Sequence, residues 1–274
     1  FATIEIAIAG ISFIGTVVMV LFLDLGWQGR IIAAGLAGSL VSIAALIWLV
    51  KRELLVGRIA WPDIRDALRF GGGGVAHDLA NQASRLSDRL LIVAMIGQAA
   101  VGSYAVAVQW SSIMLTVLSA FNRAWTPFLF SSLSEGTLDS KRKVVKHTFK
   151  VWIAFALFFA LFNLMTPIGY HLLINERYYS SMQVVFWLTL GLFFNSIYVT
   201  FVDYIFYLKK THILASITVT NLIVNVSLSY FLIKIYGSVG ASMAFAITGM
   251  VVMILTIAVS QRLHPMPWIG KSVR

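Results

Sequence analysis

Apolar residues run along this chain in blocks of 20 or more, separated by short polar segments, and several blocks carry polar side chains at three- and four-residue spacing. Blocks of that length, with that spacing, read as membrane-spanning α-helices, since about 20 residues at ~1.5 Å each cross ~30 Å of hydrocarbon. The pattern predicts eight spans, at roughly 2–23, 30–50, 69–96, 101–132, 148–174, 179–208, 211–234 and 239–262. The fold class is therefore all-α, a polytopic membrane protein. Pro62 and Asp63 in Trp61-Pro62-Asp63-Ile64-Arg65 suit a helix start, so the 51–68 linker is predicted to hold either a short interfacial helix leading into the third span or a solvated stretch.

The third span breaks the apolar rule. At 100° per residue Asp78, Gln82, Arg85 and Arg89 share one face, with Asn81 and Asp88 beside them. A charge near the bilayer centre costs about 2.5–3.5 kcal/mol on insertion scales, so such a stripe is expected against water or partner helices. The fourth span carries a second stripe of Gln109, Ser112, Thr116, Ser119 and Arg123, with Asn122 beside it and Pro127 beyond. A short connection makes the two spans a hairpin whose stripes can face one cavity. The alternative for Arg123 is snorkelling to headgroups; for Arg85 and Arg89 it is pairing with Asp78 or Asp88. Arginine's planar, permanently ionised fork suits phosphate, so an anionic ligand is favoured.

Other polar positions within spans carry milder expectations. Asn221 and Asn225 fit helix-to-helix hydrogen bonding, and His77 fits a structural role. Asp203 and Asp88 are candidate coupling carboxylates, with an ion partnership toward Lys209 and Lys210 as the other reading of Asp203. The Gly71–Gly74 run lacks the lysine of a phosphate loop and is expected to be a flexible, close-packed start to its helix.

Composition sharpens this picture. The chain is 59% hydrophobic and 12% charged, against about 45–50% and ~25% in soluble domains. Its net charge of +10 suggests nucleic acid at first sight, but fifteen of the 21 basic residues fall on alternate connections and the tail, which is positive-inside patterning; both ends are expected in the cytosol and no nucleic-acid partner is expected. There is no cysteine, which excludes disulfides, thiolate metal sites and cysteine nucleophiles. Zincin, nucleophile-elbow and Walker motifs are missing, as is any metal-spaced carboxylate cluster, so neither enzyme chemistry, a cofactor nor a metal is expected. The opening on an apolar run without Met is expected of a fragment lacking earlier spans. A shift of 211 residues lays Gly26, Gly29, Ala33, Gly38 and Lys51 on Gly237, Gly240, Ala244, Gly249 and Arg262, a weak repeat that repeated halves or chance would produce.

Several short segments in order resemble one family: Leu68-Arg69-Phe70-Gly71, Ser87-Asp88-Arg89, Val101-Gly102-Ser103-Tyr104, Ser119 through Phe128, Thr220-Asn221 with Asn225, and Tyr236-Gly237 with Gly240-Ala241. Together they are similar to the polysaccharide transporter family of the MOP flippase superfamily, which includes O-antigen flippases. The resemblance implies two six-helix lobes: residues 1–50 would close the N-terminal lobe, 51–68 link, 69–262 form the C-terminal lobe, and 263–274 be a cytosolic tail. It implies a bacterial inner-membrane flippase for lipid-linked (undecaprenyl pyrophosphate) oligosaccharide in cell-surface polysaccharide biosynthesis, with membrane lipids, a polymerase and glycosyltransferases as further partners. Asp88 and Arg89 carry over by position as substrate-binding; Arg85 and Arg123 rest on the helical wheel. The rivals are a cation-coupled drug or metabolite antiporter of the same superfamily and a membrane glycosyltransferase or polymerase. One departure stands at Gly71-Gly72-Gly73, where the family usually places a proline two residues after the glycine.

Overall fold

A computed structural model of the chain describes residues 2–53 and 61–268; within that range some side chains, Arg85 among them, lie outside the described residues. The described chain is helical throughout: α1 (Ala2–Val17) continuing into a π-helical turn (Val18–Phe22), α2 (Gly26–Lys51), α3 (Trp61–Met95), α4 (Gln98–Glu135), α5 (Leu138–Leu173), a 3₁₀ turn (Glu176–Ser181), α6 (Met182–Tyr207), α7 (Thr211–Tyr236) and α8 (Ser238–Leu263), with no strand among the described residues. Among the described residues seven helices are long and apolar enough to cross a membrane. The eighth, α3, is not among them, because the charged and amide side chains from Asp78 to Arg89 lower its hydropathy. Its packing along the spanning helix α7, described below, places it at the same depth. The chain is an all-α, multi-pass membrane protein.

The chain divides into two compact units, Phe1–Ile64 and Arg65–Arg274. The first holds the α1–α2 hairpin, whose interface is built on small residues. Gly29, Ala33 and Ala37 are the buried positions of α2, spaced so that they fall on one face. A Cβ on Gly15 would stand 3.2 Å from that of Ala33, and one on Gly29 would stand 2.9 Å from that of Met19. Without a hydrophobic drive between helices in lipid, such close backbone approach is what holds a hairpin together.

In the second unit α6 forms the centre, packed most extensively on α8 and then on α4 and α5, while α7 packs on α8. Two glycines set the α6–α8 spacing. A Cβ on Gly191 would lie 2.5 Å from the Phe245 ring and 3.3 Å from Ala246 Cα, and one on Gly249 would lie 3.5 Å from the Gly191 carbonyl oxygen.

Two local expectations change. Residues from Trp61 onward form no separate interfacial helix: α3 is continuous through the glycine run, with Pro62 at its second residue, where a missing N–H costs nothing. The glycine run is not close-packed either, since a Cβ on Gly71, Gly72 or Gly74 would meet nothing within 4 Å. Pro127 and Pro167 likewise sit inside uninterrupted helices.

Candidate functional site

Helix α3 meets α7 through a polar ladder. His77 bonds Thr218 through Nδ1, Ser84 Oγ donates to Asn225 Oδ1 at 3.0 Å, and Ser229 Oγ donates to Asp88 Oδ1 at 3.0 Å. Every rung joins residues 141 apart in sequence. A constant offset means that the two helices run parallel and in register, because antiparallel helices would give a constant sum instead. The sequence shows why: polar residues recur at seven and then four positions in both helices, at His77, Ser84 and Asp88 and at Thr218, Asn225 and Ser229, a spacing that returns to one face. Asn225 Nδ2 then donates to Thr248 Oγ1 at 3.2 Å, tying α8 to the same network.

Beside this ladder lies a cavity of about 400 Å³. Helix α3 contributes Asn81, Ser84, Asp88 and Arg89; α4 contributes Tyr104, Ser111 and Ser112; α6 contributes Asn195 and Tyr198; α7 contributes Thr218 and Asn221; α8 contributes Phe245 and Thr248. The wall therefore mixes hydroxyls, three side-chain amides, three aromatic rings and one charge of each sign with the aliphatic Val108, Leu115, Leu188, Leu192 and Val252. Gly191 and Gly249, at the close α6–α8 crossing, also line the cavity, and a larger residue at Gly191 would run into the Phe245 ring of the opposite helix. Ser111 Oγ is buried and has no partner among the described residues. No hydrogen bond from a described residue takes up the Asn195 or Asn221 amide, whereas Asn225, one turn on, has both amide atoms engaged. A buried polar group without a partner costs about 1–3 kcal/mol, so Ser111 calls for water or a ligand, and the half-buried Asn195 and Asn221 amides are open to a ligand that both donates and accepts.

The predicted site residues divide. Asn81, Asp88 and Arg89 line the cavity; Asp88 is 4% exposed, while Arg89 is exposed at its rim. Asp78 and Gln82 are exposed and do not line it, and the Arg85 side chain lies outside the described residues. On α4, Ser112 lines the cavity; Gln109 and Arg123 are exposed and elsewhere, Thr116 and Ser119 bond the backbone carbonyls of Ser112 and Leu115, and Asn122 Oδ1 is buried without a partner among the described residues. Asp203 is buried away from the cavity and accepts a 2.7 Å hydrogen bond from Thr126 Oγ1. His77 is structural, and of the two asparagines of α7 only Asn225 serves helix-to-helix bonding. Among the described residues no group of three or more His, Cys, Asp or Glu could hold a metal ion.

The face of α3 that packs on α7 and lines the cavity is centred about 100° from the middle of the predicted stripe, on Asn81, Ser84 and Asp88. Counting charges alone pulled the wheel toward Asp78 and Arg89; the matching seven-and-four spacing in α3 and α7 was the signal for the packed face.

The sequence model of a family described as "Polysaccharide biosynthesis protein" matches residues 1–168. No curated protein matches by sequence. Among solved structures, a MATE in complex with MaL6 superposes with a TM-score of 0.78 at 15% identity, covering 95% of this chain and 62% of that one. An outward-facing multidrug resistance MATE family transporter of the MOP superfamily gives 0.77 at 14%, covering 95% and 61%. The Vibrio cholerae MATE transporter VcmN in its bent form gives 0.70 at 16%, covering 95% and 61%. The chain thus spans 61–62% of the length of those structures, and what it shares with them is the fold.

Proposed function

We propose, from the premise that the chain belongs to the polysaccharide biosynthesis protein family, that it works in a flippase carrying lipid-linked oligosaccharide pyrophosphate across the bacterial cytoplasmic membrane by alternating access. The observation that carries this reading is the cavity inside the Arg65–Arg274 unit, whose free amides and hydroxyls suit sugar hydroxyls, with the Arg89 guanidinium at the rim to meet a phosphate. Asp78, Gln82 and Arg89, exposed on a helix held at membrane depth, extend the polar surface that such a head group would cross. The two ends of the chain lie in the cytosol in this reading, and Asp203 or Asp88 would carry any ion coupling.

One observation favours a second reading. Asp88 places a carboxylate in the same wall, which a cation-coupled antiporter for drugs or metabolites would use, and one structural neighbour is named a multidrug resistance transporter. The two separate experimentally. In the full-length protein at normal expression, Arg89→Ala should cut surface polysaccharide by about tenfold, the order of one charge-assisted contact of ~1.5 kcal/mol or more, with partial rescue by Arg89→Lys. Unchanged polysaccharide together with lost drug efflux in Asp88→Asn would refute the flippase reading.

A further inference from the structure

The first turns of α5 carry a charged surface outside the cavity. Arg142, Lys143, Lys146 and Lys150 are all exposed and fall within an arc of about 100° on the helix. The opposite side of the same stretch holds Val144, Val145 and Thr148, all buried in the bundle, so packing turns the cations outward.

The same arc changes character one turn later. Ile153, Leu157, Leu164 and Ile168 continue it and are 61%, 67%, 68% and 54% exposed. From Ile153 to Ile168 the helix rises about 22 Å, more than the ~15 Å half-thickness of the hydrocarbon layer, so with Ile153 at the hydrocarbon edge this exposed apolar column is long enough for the acyl chains of one leaflet. On that scale Lys150 stands about 5 Å and Lys146 about 10 Å beyond the hydrocarbon edge, within reach of headgroup phosphates, and Arg142 and Lys143 stand about 15 Å beyond it. Aromatic rings mark the same level: Phe149, 44% exposed, meets Trp152 and Trp268 edge-on, and those two indoles stack 5.7 Å apart at 6°. The one acidic residue on the arc is Asp139, one turn before Arg142 and Lys143; Lys146 and Lys150 have no carboxylate within a turn on their own helix.

We infer that this arc of α5 is a docking site for an anionic phospholipid of the adjacent leaflet, with Lys146 and Lys150 holding the headgroup phosphate while the acyl chains lie along the Ile153–Ile168 column. Charge and shape both point to that occupant. An acidic protein segment would satisfy the cations but would have no use for an aliphatic column continuing past the depth of one leaflet's acyl chains. A zwitterionic lipid would fit the column but would repel the ammonium groups with its own amine. The inference is independent of what the cavity carries.

The experiment places the full chain in nanodiscs of equal phosphatidylglycerol and phosphatidylcholine and counts co-purified lipids by native mass spectrometry. Lys146→Gln with Lys150→Gln should lower the phosphatidylglycerol preference by tenfold or more, each juxtamembrane charge being worth about fivefold. Lys146→Arg with Lys150→Arg should keep it, and Arg177→Gln with Lys234→Gln, exposed at the other end of the helices, should leave it unchanged. A preference unaltered by the first pair, or lowered equally by the last, would overturn the assignment. If the Gln pair fails to fold, Lys150→Gln alone should still give about a fivefold drop, and no drop would overturn it equally.

Discussion

Asn225 is the residue on which three helices meet, and its removal can be costed. It is 1% exposed, accepts from Ser84 on α3 at 3.0 Å and donates to Thr248 on α8 at 3.2 Å. Side-chain hydrogen bonds between membrane helices average ~0.6 kcal/mol and reach ~1.7, so Asn225→Ala should lose about 1–3 kcal/mol. The low half of that range is expected, for a structural reason. Thr248 keeps its own bond to the Ala244 carbonyl at 2.8 Å, and Ser84 and Thr248 both line the cavity, where water can replace the amide. Equilibrium unfolding in mixed micelles by SDS, followed by tryptophan fluorescence, measures the loss. A double-mutant cycle with Ser84→Ala then isolates the α3–α7 rung, expected at roughly 0.6 kcal/mol. A coupling within about 0.3 kcal/mol of zero would refute the rung. A loss above about 4 kcal/mol for Asn225→Ala would refute the claim that its partners are reachable by water.

The parallel register makes a geometric prediction that the cysteine-free sequence makes easy to read. Ser84→Cys with Asn225→Cys, or Asp88→Cys with Ser229→Cys, should cross-link under mild oxidation, whereas Ser84→Cys with Ser229→Cys, displaced by about 6 Å along the axis, should not, because a disulfide tolerates at most ~7 Å between Cα atoms. Gly240→Leu should abolish recoverable folded protein, since even a Cβ there would overlap the Leu232 carbonyl, while Gly102→Leu on α4, with open space around it, should be tolerated; size-exclusion profiles in detergent distinguish them. Just past α8, burial and then the Lys141 ammonium hold His264 below its ordinary value of 6.5. The unfolded chain therefore binds the proton more readily, and stability should fall as pH drops below ~6.5 and level off once the folded imidazole protonates too; His264→Gln should flatten that acid limb in melts taken across the range.

How much of this was legible in the sequence depended on what each residue had to satisfy. Seven of the spans were plain, because a bilayer demands about 20 apolar residues whatever the neighbours are, whereas α3, with charges that lower its hydropathy, had to be read from its polar stripe. Helix ends were less so. The predicted 69–96 begins eight residues after Trp61, and 101–132 falls inside Gln98–Glu135 by three residues at each end, since a helix can leave the hydrocarbon and continue wherever its backbone bonds are met locally. The cavity was half legible. Asp88, Asn81 and Arg89 stood out because charge and amide in a span require explanation. Ser84, Ser111 and Thr248 did not, because a hydroxyl in a helix can bond its own preceding carbonyl, as Thr248 does, and so gives no signal of a partner. Tyr104 and Tyr198 were hidden for a related reason: an aromatic ring in an apolar span reads as core until the neighbouring space is known.

The weak repeat shows where sequence likeness follows from physics and where it stops. Gly26 opens α2 with φ +51° and Gly237 opens α8 with φ +61°, a region that residues with a Cβ avoid. Three residues on, Gly29 meets the Cβ atoms of Met19 and Leu25, and Gly240 meets the backbone of Leu232, the preceding helix turning back in both cases. Ala33 and Ala244 follow on the buried face at 3% and 0% exposure, and Lys51 and Arg262 close the last turns, where a cation complements the helix dipole. All four correspondences belong to a hairpin that must turn tightly and pack backbone to backbone. The fifth does not behave alike: a Cβ on Gly38 would meet nothing within 4 Å, while Gly249 lies against Gly191 of α6. That position needs a third helix, which α6 supplies in the Arg65–Arg274 unit. The described residues of the Phe1–Ile64 unit form the hairpin and the first residues of α3, and none of them comes near Gly38.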